Sequence, residues 1–196
     1  SVDYGENEVF ATRADAEKLL TTLYAEGMPY GFCMSSSNTD RRLLSSSTLA
    51  SACDEGEDVA TWAMGNAAWN AGNHTNTNFP WDEDCRFYLR NHTMRVANLI
   101  LKRIHEVPFD EGDPDFNKRT TGEAYFMRAM LLWEGVYRYG GMPIVREVID
   151  PTDFSQRPRN SFSDCIDSIL IDCDRATQYL PDYYTDNAKL GRATRI

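Results

Sequence analysis

Aromatic rings and side-chain amides are concentrated in one short stretch of the sequence, between positions 69 and 81. Sugars present flat apolar ring faces edged with hydroxyl groups, so a site for them needs an exposed aromatic surface beside groups that donate and accept hydrogen bonds. The stretch therefore predicts a carbohydrate-contacting loop with the ligand residues Trp69, Asn70, Asn73, Asn76 and Trp81. The competing interpretation is structural, because Asn and Gly favour turns and the two Trp side chains would then fasten the loop to the core.

The rest of the sequence contains no recognisable catalytic constellation. The common hydrolase, nucleotide-binding and zinc-protease motifs do not occur in it. The carboxylates Glu123 and Glu134 share one predicted helix, where capping and pairing with Arg128 or Arg138 account for them without catalysis. The three histidines are widely separated along the chain: His74, His92 and His105. We therefore expect no enzymatic activity and no catalytic residue.

An acidic loop is the only stretch that resembles a metal site. It contains Asp110, Glu111, Asp113 and Asp115. A calcium loop of the EF-hand type needs a fixed order of acids and glycine, which is absent here, and Pro114 interrupts the run. The sequence therefore predicts a solvated loop, and we expect neither a bound metal nor a cofactor.

The five cysteines are an odd number without a C-x-x-C pair, which implies neither a zinc site nor a complete disulfide framework. They are Cys33, Cys53, Cys85, Cys165 and Cys173. We predict free, packed thiols, the usual state of cysteine in protein interiors. Cys165 and Cys173 lie just over two helical turns apart, too far along a helix axis to bridge each other.

The length, charge and apolar segments of the chain exclude several classes of protein. A chain of 196 residues is enough for one domain with a core of its own. Its formal charge of −10 argues against a partner with a phosphate backbone, so we expect no nucleic-acid binding. The most apolar segment, Ala124 to Tyr139, carries Arg128, Glu134 and Arg138, so it does not resemble a membrane span.

Helical periodicity dominates the sequence and predicts an all-α fold. Strand-type alternation is confined to a short extended piece at Met142 to Val145. Capping residues precede three of the helices, and glycine or proline follows each helix. The predicted helices are Thr12 to Glu26, Asp82 to Val107, Thr121 to Tyr139, and Phe162 to Leu180. The third is apolar in nearly every direction, so we expect it to be buried between neighbours on all sides.

Five segments, in this order and spacing, resemble the SusD/RagB family of outer-membrane nutrient-binding lipoproteins. The helix start Gly122–Ala129 and the helix end and turn Tyr137–Val145 are the longest. The others are an R-x-x-N segment at Arg95–Asn98, an I-x-x-D helix at Ile169–Ala176 with Leu180-Pro181, and a G-R-A-T segment at Gly191–Thr194. The order and spacing of these segments fit the family along roughly residues 10 to 196.

The resemblance implies an α-helical SusD-like fold built from tetratricopeptide-like helix pairs. It also implies a surface-exposed lipoprotein of the Gram-negative outer membrane, held by an N-terminal lipid anchor, with a SusC-like TonB-dependent transporter as partner. Members capture oligosaccharides or other nutrients without chemistry and pass them to the transporter. The motif residues are expected to be scaffold: small Ala124 and Ala129 permit close helix approach, Arg128 and Arg138 pair with acids, and Gly140 to Pro143 turn the chain.

This sequence departs from the family in two respects. The lipidated N-terminal cysteine and its leader are missing, and the G-R-A-T segment normally leads into further helices, whereas the sequence stops at Ile196. Residues 1–196 are therefore expected to be the N-terminal part of one SusD-like domain, truncated at its C-terminal end. Two functions follow from the sequence: a non-catalytic glycan-binding protein, or alternatively a helical interaction scaffold that docks a transporter or a peptide.

Overall fold

A computed structural model of the chain describes residues 6–28, 71–72, 87–150 and 157–196. Within these ranges the chain is helical without any β-strand, so the all-α prediction is confirmed. Two short 3-10 turns, Ile104–Glu106 and Asn187–Lys189, follow the third and fifth helices. The helices, in chain order, are α1 Glu6–Val9, α2 Arg13–Gly27, α3 Phe87–Arg103, α4 Phe116–Tyr139 and α5 Phe162–Tyr179. None of these described helices has the length and apolarity needed to cross a bilayer.

Helix α2 starts as its sequence predicts and ends one residue later. The Thr12 hydroxyl accepts a hydrogen bond from the Asp15 backbone N–H at 3.2 Å, which caps the helix. Gly27 is the last helical residue rather than the stop signal, and a Cβ placed there would lie 2.8 Å from Met127 Cε of α4. The helices thus approach closely at this glycine, and a Cβ there would require the Met127 side chain to shift.

Helix α4 begins at Phe116, earlier than the predicted start at Thr121. The expected capping box of Thr120 and Glu123 is wrong, because both residues lie inside the helix and are fully buried. The extra turn forms because Phe116 is buried in the core and Arg119 pairs with Asp113 in the preceding loop. Tertiary burial thus overrides the local start signal.

The ends of α4 and α5 agree with the sequence within one residue, whereas α3 ends at Arg103 and continues as a 3-10 turn to Glu106, short of the predicted Val107. Gly140 adopts φ +74° after α4, and its N–H donates to the Val136 carbonyl. Arg159 donates to the exposed carbonyls of Tyr139 and Gly141 at the same helix end. Ser161 and Asp164 form the predicted capping box of α5. The predicted start of the second helix, residues 82–86, lies outside the described residues. The predicted extended piece at Met142 to Val145 is non-helical but forms no strand.

Helix α4 lies between two apolar clusters. On one side Met127 and Leu131 pack with Leu20 and Leu23 of α2 and with Ile100 of α3. The second cluster joins α4 to α5 and the turn between them through Leu132, Val136, Met142 and Cys165. Because one helix supplies both clusters, its position fixes the positions of α2, α3 and α5.

Cα packing divides the chain into two compact units. The first unit comprises Ser1–Met28 and Leu89–Ile196, and both apolar clusters belong to it. The second unit is Pro29–Tyr88, of which the structure describes residues 71–72 and 87–88.

The turn after α4 gives a steric prediction. A Cβ at Gly141 would lie 2.0 Å from the backbone oxygen of Asn160, which cannot rotate away. We expect Gly141→Ala to lower the free energy of unfolding by at least about 2 kcal/mol, the scale of an overpacking substitution. Gly135→Ala is the matched control, because its Cβ meets only the flexible side chain of Met142. Urea unfolding followed by circular dichroism measures both, and equal midpoints would contradict the prediction.

Candidate functional site

The predicted ligand residues cannot be placed from this structure. Trp69, Asn70, Asn73, Asn76 and Trp81 all lie outside the described residues. Between them, residues 71–72 form a turn in which Gly72 has φ +66°. The next described element along the chain is α3.

Helix α3 is held by the two polar residues of its R-x-x-N segment. The buried Asn98 amide donates to the carbonyls of Val145 at 3.2 Å and Glu147 at 3.0 Å. Arg95 donates through Nε to the Ile149 carbonyl at 3.2 Å. The segment after α4 lacks regular secondary structure, so these side chains satisfy backbone carbonyls that would otherwise have no helical or sheet partner. The R-x-x-N spacing therefore places one donor per turn on the same face of α3.

A buried ion pair joins α3, α4 and α5. Arg128 of α4 donates through Nε and Nη2 to the two carboxylate oxygens of Asp172, both at 2.7 Å. Its third nitrogen, Nη1, donates to the Asn98 side-chain oxygen at 2.9 Å. All three side chains are buried. All three guanidinium nitrogens thus donate hydrogen bonds in one plane, a geometry that lysine cannot supply. The expected pairing of Arg128 with an acid is confirmed.

The same carboxylate also anchors the segment after α4. Arg146 lies 3.6 Å from Asp172 and donates through Nη2 to the Ser168 hydroxyl at 2.8 Å and carbonyl at 2.9 Å. Ser168 and Asp172 are one turn apart on the buried face of α5. The side chain of Arg138, the other arginine expected to pair with an acid, lies outside the described residues.

The acidic loop before α4 is an arginine-binding loop. Asp113 accepts from both terminal nitrogens of Arg119, at 2.9 and 2.8 Å, and lies 3.1 Å from the Lys189 ammonium. Asp110 pairs with Arg13 of α2 at 2.6 Å. Hydrogen bonds from Arg119 lower the pKa of Asp113 to about 2. The expectation of a solvated loop is therefore wrong for Asp113, which is buried, whereas Glu111 and Asp115 are exposed. Two of the pairing cations, Arg13 and Lys189, come from elements distant in sequence.

Glu123 is the most enclosed carboxyl in the described ranges, with no exposed surface. Arg119 and Arg192 lie 3.3 and 3.6 Å from its two oxygens. Of the partners expected from the sequence, Arg128 is wrong for Glu123, because its guanidinium pairs with Asp172 instead. Burial raises the pKa of Glu123 despite the two arginines. Arg192 belongs to the G-R-A-T segment, which is thereby docked on α4.

One side of α4 is exposed, contrary to the expectation of neighbours in every direction. Trp133 and Tyr137 are each 44% exposed, and their ring centroids are 5.5 Å apart with a tilt of 38°. They lie one turn apart, and the Tyr137 hydroxyl donates to Glu134 at 3.4 Å. The described neighbours α2, α3 and α5 cover the other directions. Sequence periodicity could not identify this side, because the helix is apolar all round.

The described thiols differ in burial. Cys165 is free and buried, and exchanges hydrogen bonds with the backbone of Met142 at 3.3 Å. Cys173 is free but exposed, so the expectation of a packed thiol is wrong for it. The remaining cysteines, Cys33, Cys53 and Cys85, lie outside the described residues. Residues 6–28, 71–72, 87–150 and 157–196 contain no grouping of acids, histidines and cysteines suited to a metal ion.

A family model described as starch-binding, associating with the outer membrane, and designated SusD-like, matches residues 5–196. A SusD-like protein from Bacteroides fragilis matches 97% of the chain with 27% identity and a TM-score of 0.71. A laminarin binding SusD-like protein matches 95% of the chain with 20% identity and a TM-score of 0.74. A SusD homologue from Bacteroides thetaiotaomicron matches 94% with 21% identity and a TM-score of 0.65.

The chain spans 34%, 38% and 39% of the lengths of these three solved structures, respectively. No curated protein matches it. The helical fold predicted from the five motif segments is therefore confirmed by the structures that share it.

The buried ion pair of Arg128 and Asp172 should contribute strongly to the free energy of unfolding. We expect Asp172→Ala to lower the free energy of unfolding by about 3–5 kcal/mol, because it leaves a buried guanidinium without its anion. The double variant Arg128→Met with Asp172→Leu should recover part of this loss, since it removes both charges. Glu106→Ala, which breaks the exposed pair with Arg103, should change the unfolding midpoint far less. A double variant no more stable than Asp172→Ala would contradict this account.

Asp113 gives a pH prediction. Its pKa is lowered in the folded state, so it stabilises the fold fully above its unfolded pKa of 3.8. That contribution, about 2 kcal/mol, should be lost as the pH falls from about 4 to about 2. Asp113→Asn should be less stable than wild type at pH 6 and should lose less stability across the acid range. Chemical denaturation at each pH measures this, and parallel curves would refute it.

Proposed function

Because the chain belongs to the SusD-like family, we propose that it is part of an outer-membrane surface protein that captures oligosaccharides without chemically altering them. The match over residues 5–196 carries this proposal, since that family is described as starch-binding and associating with the outer membrane. One solved relative of the same fold is described as laminarin binding, which is also a carbohydrate function. The sequence agrees, because it contains an aromatic and amide loop and no recognisable catalytic motif.

The proposed sugar-contacting residues are those of the loop before α3. Trp69 and Trp81 would stack on the apolar faces of the sugar rings. The amides of Asn70, Asn73 and Asn76 would exchange hydrogen bonds with ring hydroxyls, since each amide both donates and accepts. The chain's charge of −10 favours a neutral ligand over an anionic one.

The proposed partner is a SusC-like TonB-dependent transporter, to which the captured oligosaccharide would be delivered. The support is the family's description as associating with the outer membrane. A binding protein without chemistry of its own needs such an acceptor, because its ligand otherwise returns to solution. The proposed location is therefore the outer surface of the Gram-negative outer membrane.

A docking scaffold is the second candidate function, and the exposed pair on α4 favours it. Trp and Tyr are enriched among the residues that dominate protein interfaces. Trp133 and Tyr137 lie on a rigid helix, in contact with each other and half exposed. A transporter or a peptide could seat on them without any involvement of the loop at positions 69–81.

The two functions are separated by two matched double variants. Isothermal calorimetry of the purified protein against laminarin and starch oligosaccharides should detect binding. Trp69→Ala with Trp81→Ala should weaken it at least about tenfold, because two stacked rings are lost. Trp133→Ala with Tyr137→Ala should leave sugar affinity unchanged and serves as the control.

Calorimetry and co-purification with a transporter together distinguish the proposed functions. If wild type binds no glycan in a broad screen, the proposed capture function is wrong. If wild type binds but Trp69→Ala with Trp81→Ala binds equally well, the proposed loop site is wrong. Loss of co-purification with a TonB-dependent transporter in Trp133→Ala with Tyr137→Ala, with normal sugar binding, would establish the docking role of α4.

A further inference from the structure

The carboxyl of Glu123 lies where three parts of the chain meet. It projects from α4 toward Tyr24 of α2 and toward Tyr184 and Arg192 of the segment 181–196. The Ala193 backbone N–H donates to the Tyr24 hydroxyl at 3.0 Å, and the Tyr184 hydroxyl donates to the Ala193 carbonyl at 3.1 Å. The two tyrosines thus connect Glu123 to both backbone groups of Ala193, in the middle of the G-R-A-T segment.

The Tyr184 hydroxyl has one proton and two neighbouring acceptors. Its oxygen lies 3.1 Å from the Ala193 carbonyl and 3.4 Å from Glu123 Oε1. A carbonyl oxygen only accepts, and so does an ionised carboxylate. One hydroxyl proton cannot serve both. A protonated Glu123 removes the conflict, because its own O–H donates to Tyr184 while Tyr184 donates to Ala193.

Neither neighbouring arginine makes a hydrogen bond to the carboxyl within the described part of the chain. Arg119 directs both terminal nitrogens at Asp113, which leaves its Nε without a hydrogen-bond partner 3.3 Å from Glu123. Arg192 donates through Nη2 to Glu17 at 3.0 Å. Its Nη1 and Glu123 Oε2 are 3.6 Å apart, and both are buried without a hydrogen bond. An ionised Glu123 would therefore have the Tyr24 hydroxyl as its donor and the two arginines only at longer range, against the cost of burying its charge.

We propose that Glu123 is a protonated carboxylic acid when the segment 181–196 is docked, and that its deprotonation weakens that docking. The segment is thereby a pH-sensitive strap across α2 and α4. The groups that face Glu123 are Arg119 from its own helix, Tyr24 from α2, and Tyr184 and Arg192 from the strap. Burial raises the pKa of Glu123, which agrees with the hydrogen-bond geometry.

The sign of the effect follows from linkage. A carboxyl whose pKa is higher in the docked state than in the released state favours docking below the released pKa, about 4.3 for an ordinary glutamate. As the pH rises above that value, the released state loses its proton first and gains population by up to tenfold per pH unit. The gain ends where Glu123 ionises in the docked state as well.

Two measurements on the purified protein test the proposal. Carbon NMR of the Glu123 carboxyl should show a titration step well above that of an ordinary glutamate. Amide hydrogen exchange at Tyr184 and Ala193, corrected for its intrinsic pH dependence, should lose protection as the pH rises from about 4. In Glu123→Gln, whose amide mimics the protonated acid by donating to Tyr184, this loss of protection with rising pH should be absent.

Glu106→Gln is the matched control, since Glu106 is an exposed acid paired with Arg103, and it should retain the pH dependence of wild type. The proposal is overturned if Glu123 titrates at or below the ordinary glutamate pKa. It is also overturned if strap protection is independent of pH in wild type or follows the same pH course in Glu123→Gln. The NMR titration uses wild type alone, so the test stands even where a variant folds poorly.

Discussion

The buried pair of Arg128 and Asp172 is the interaction on which the described structure depends. A guanidinium and a carboxylate taken out of water are costly unless every hydrogen bond is satisfied, and here the arginine donates to Asp172 on α5 and Asn98 on α3. Asn98 in turn holds the backbone of the segment after α4. Directional bonds of this kind fix the relative rotation of three helices, which apolar packing alone leaves adjustable.

Helix α4 contacts most of the other described elements, because it contributes residues to both apolar clusters and to the buried ion pairs. Its apolar residues supply two cores, Arg128 joins α5 and α3, and Arg119 and Glu123 join the preceding loop and the segment 181–196. The described helices are thereby held by directional contacts as well as by apolar packing.

The sequence predicted elements better than it predicted partners. The caps of α2 and α5 and the turn at Gly140 rest on contacts within a few residues, so local patterns were sufficient. The start of α4 was missed because burial of Phe116 and the pairing of Arg119 with Asp113 override the local signal at Thr120. Of the two arginines beside Glu123, Arg192 was missed because it is distant in sequence. The loop containing Trp69 and Trp81 remains a prediction.

The sequence by itself determined the all-α class, the family resemblance and the absence of known catalytic motifs, because periodicity, capping and motif spacing are local properties. Only the tertiary structure decided which charges meet, which side of α4 is exposed and which carboxyl is sealed from water. Those outcomes depend on how helices pack across long sequence separations. The identity of an Asp, a Glu or a Trp does not show whether the folded protein buries its side chain, pairs it with another residue or exposes it to solvent.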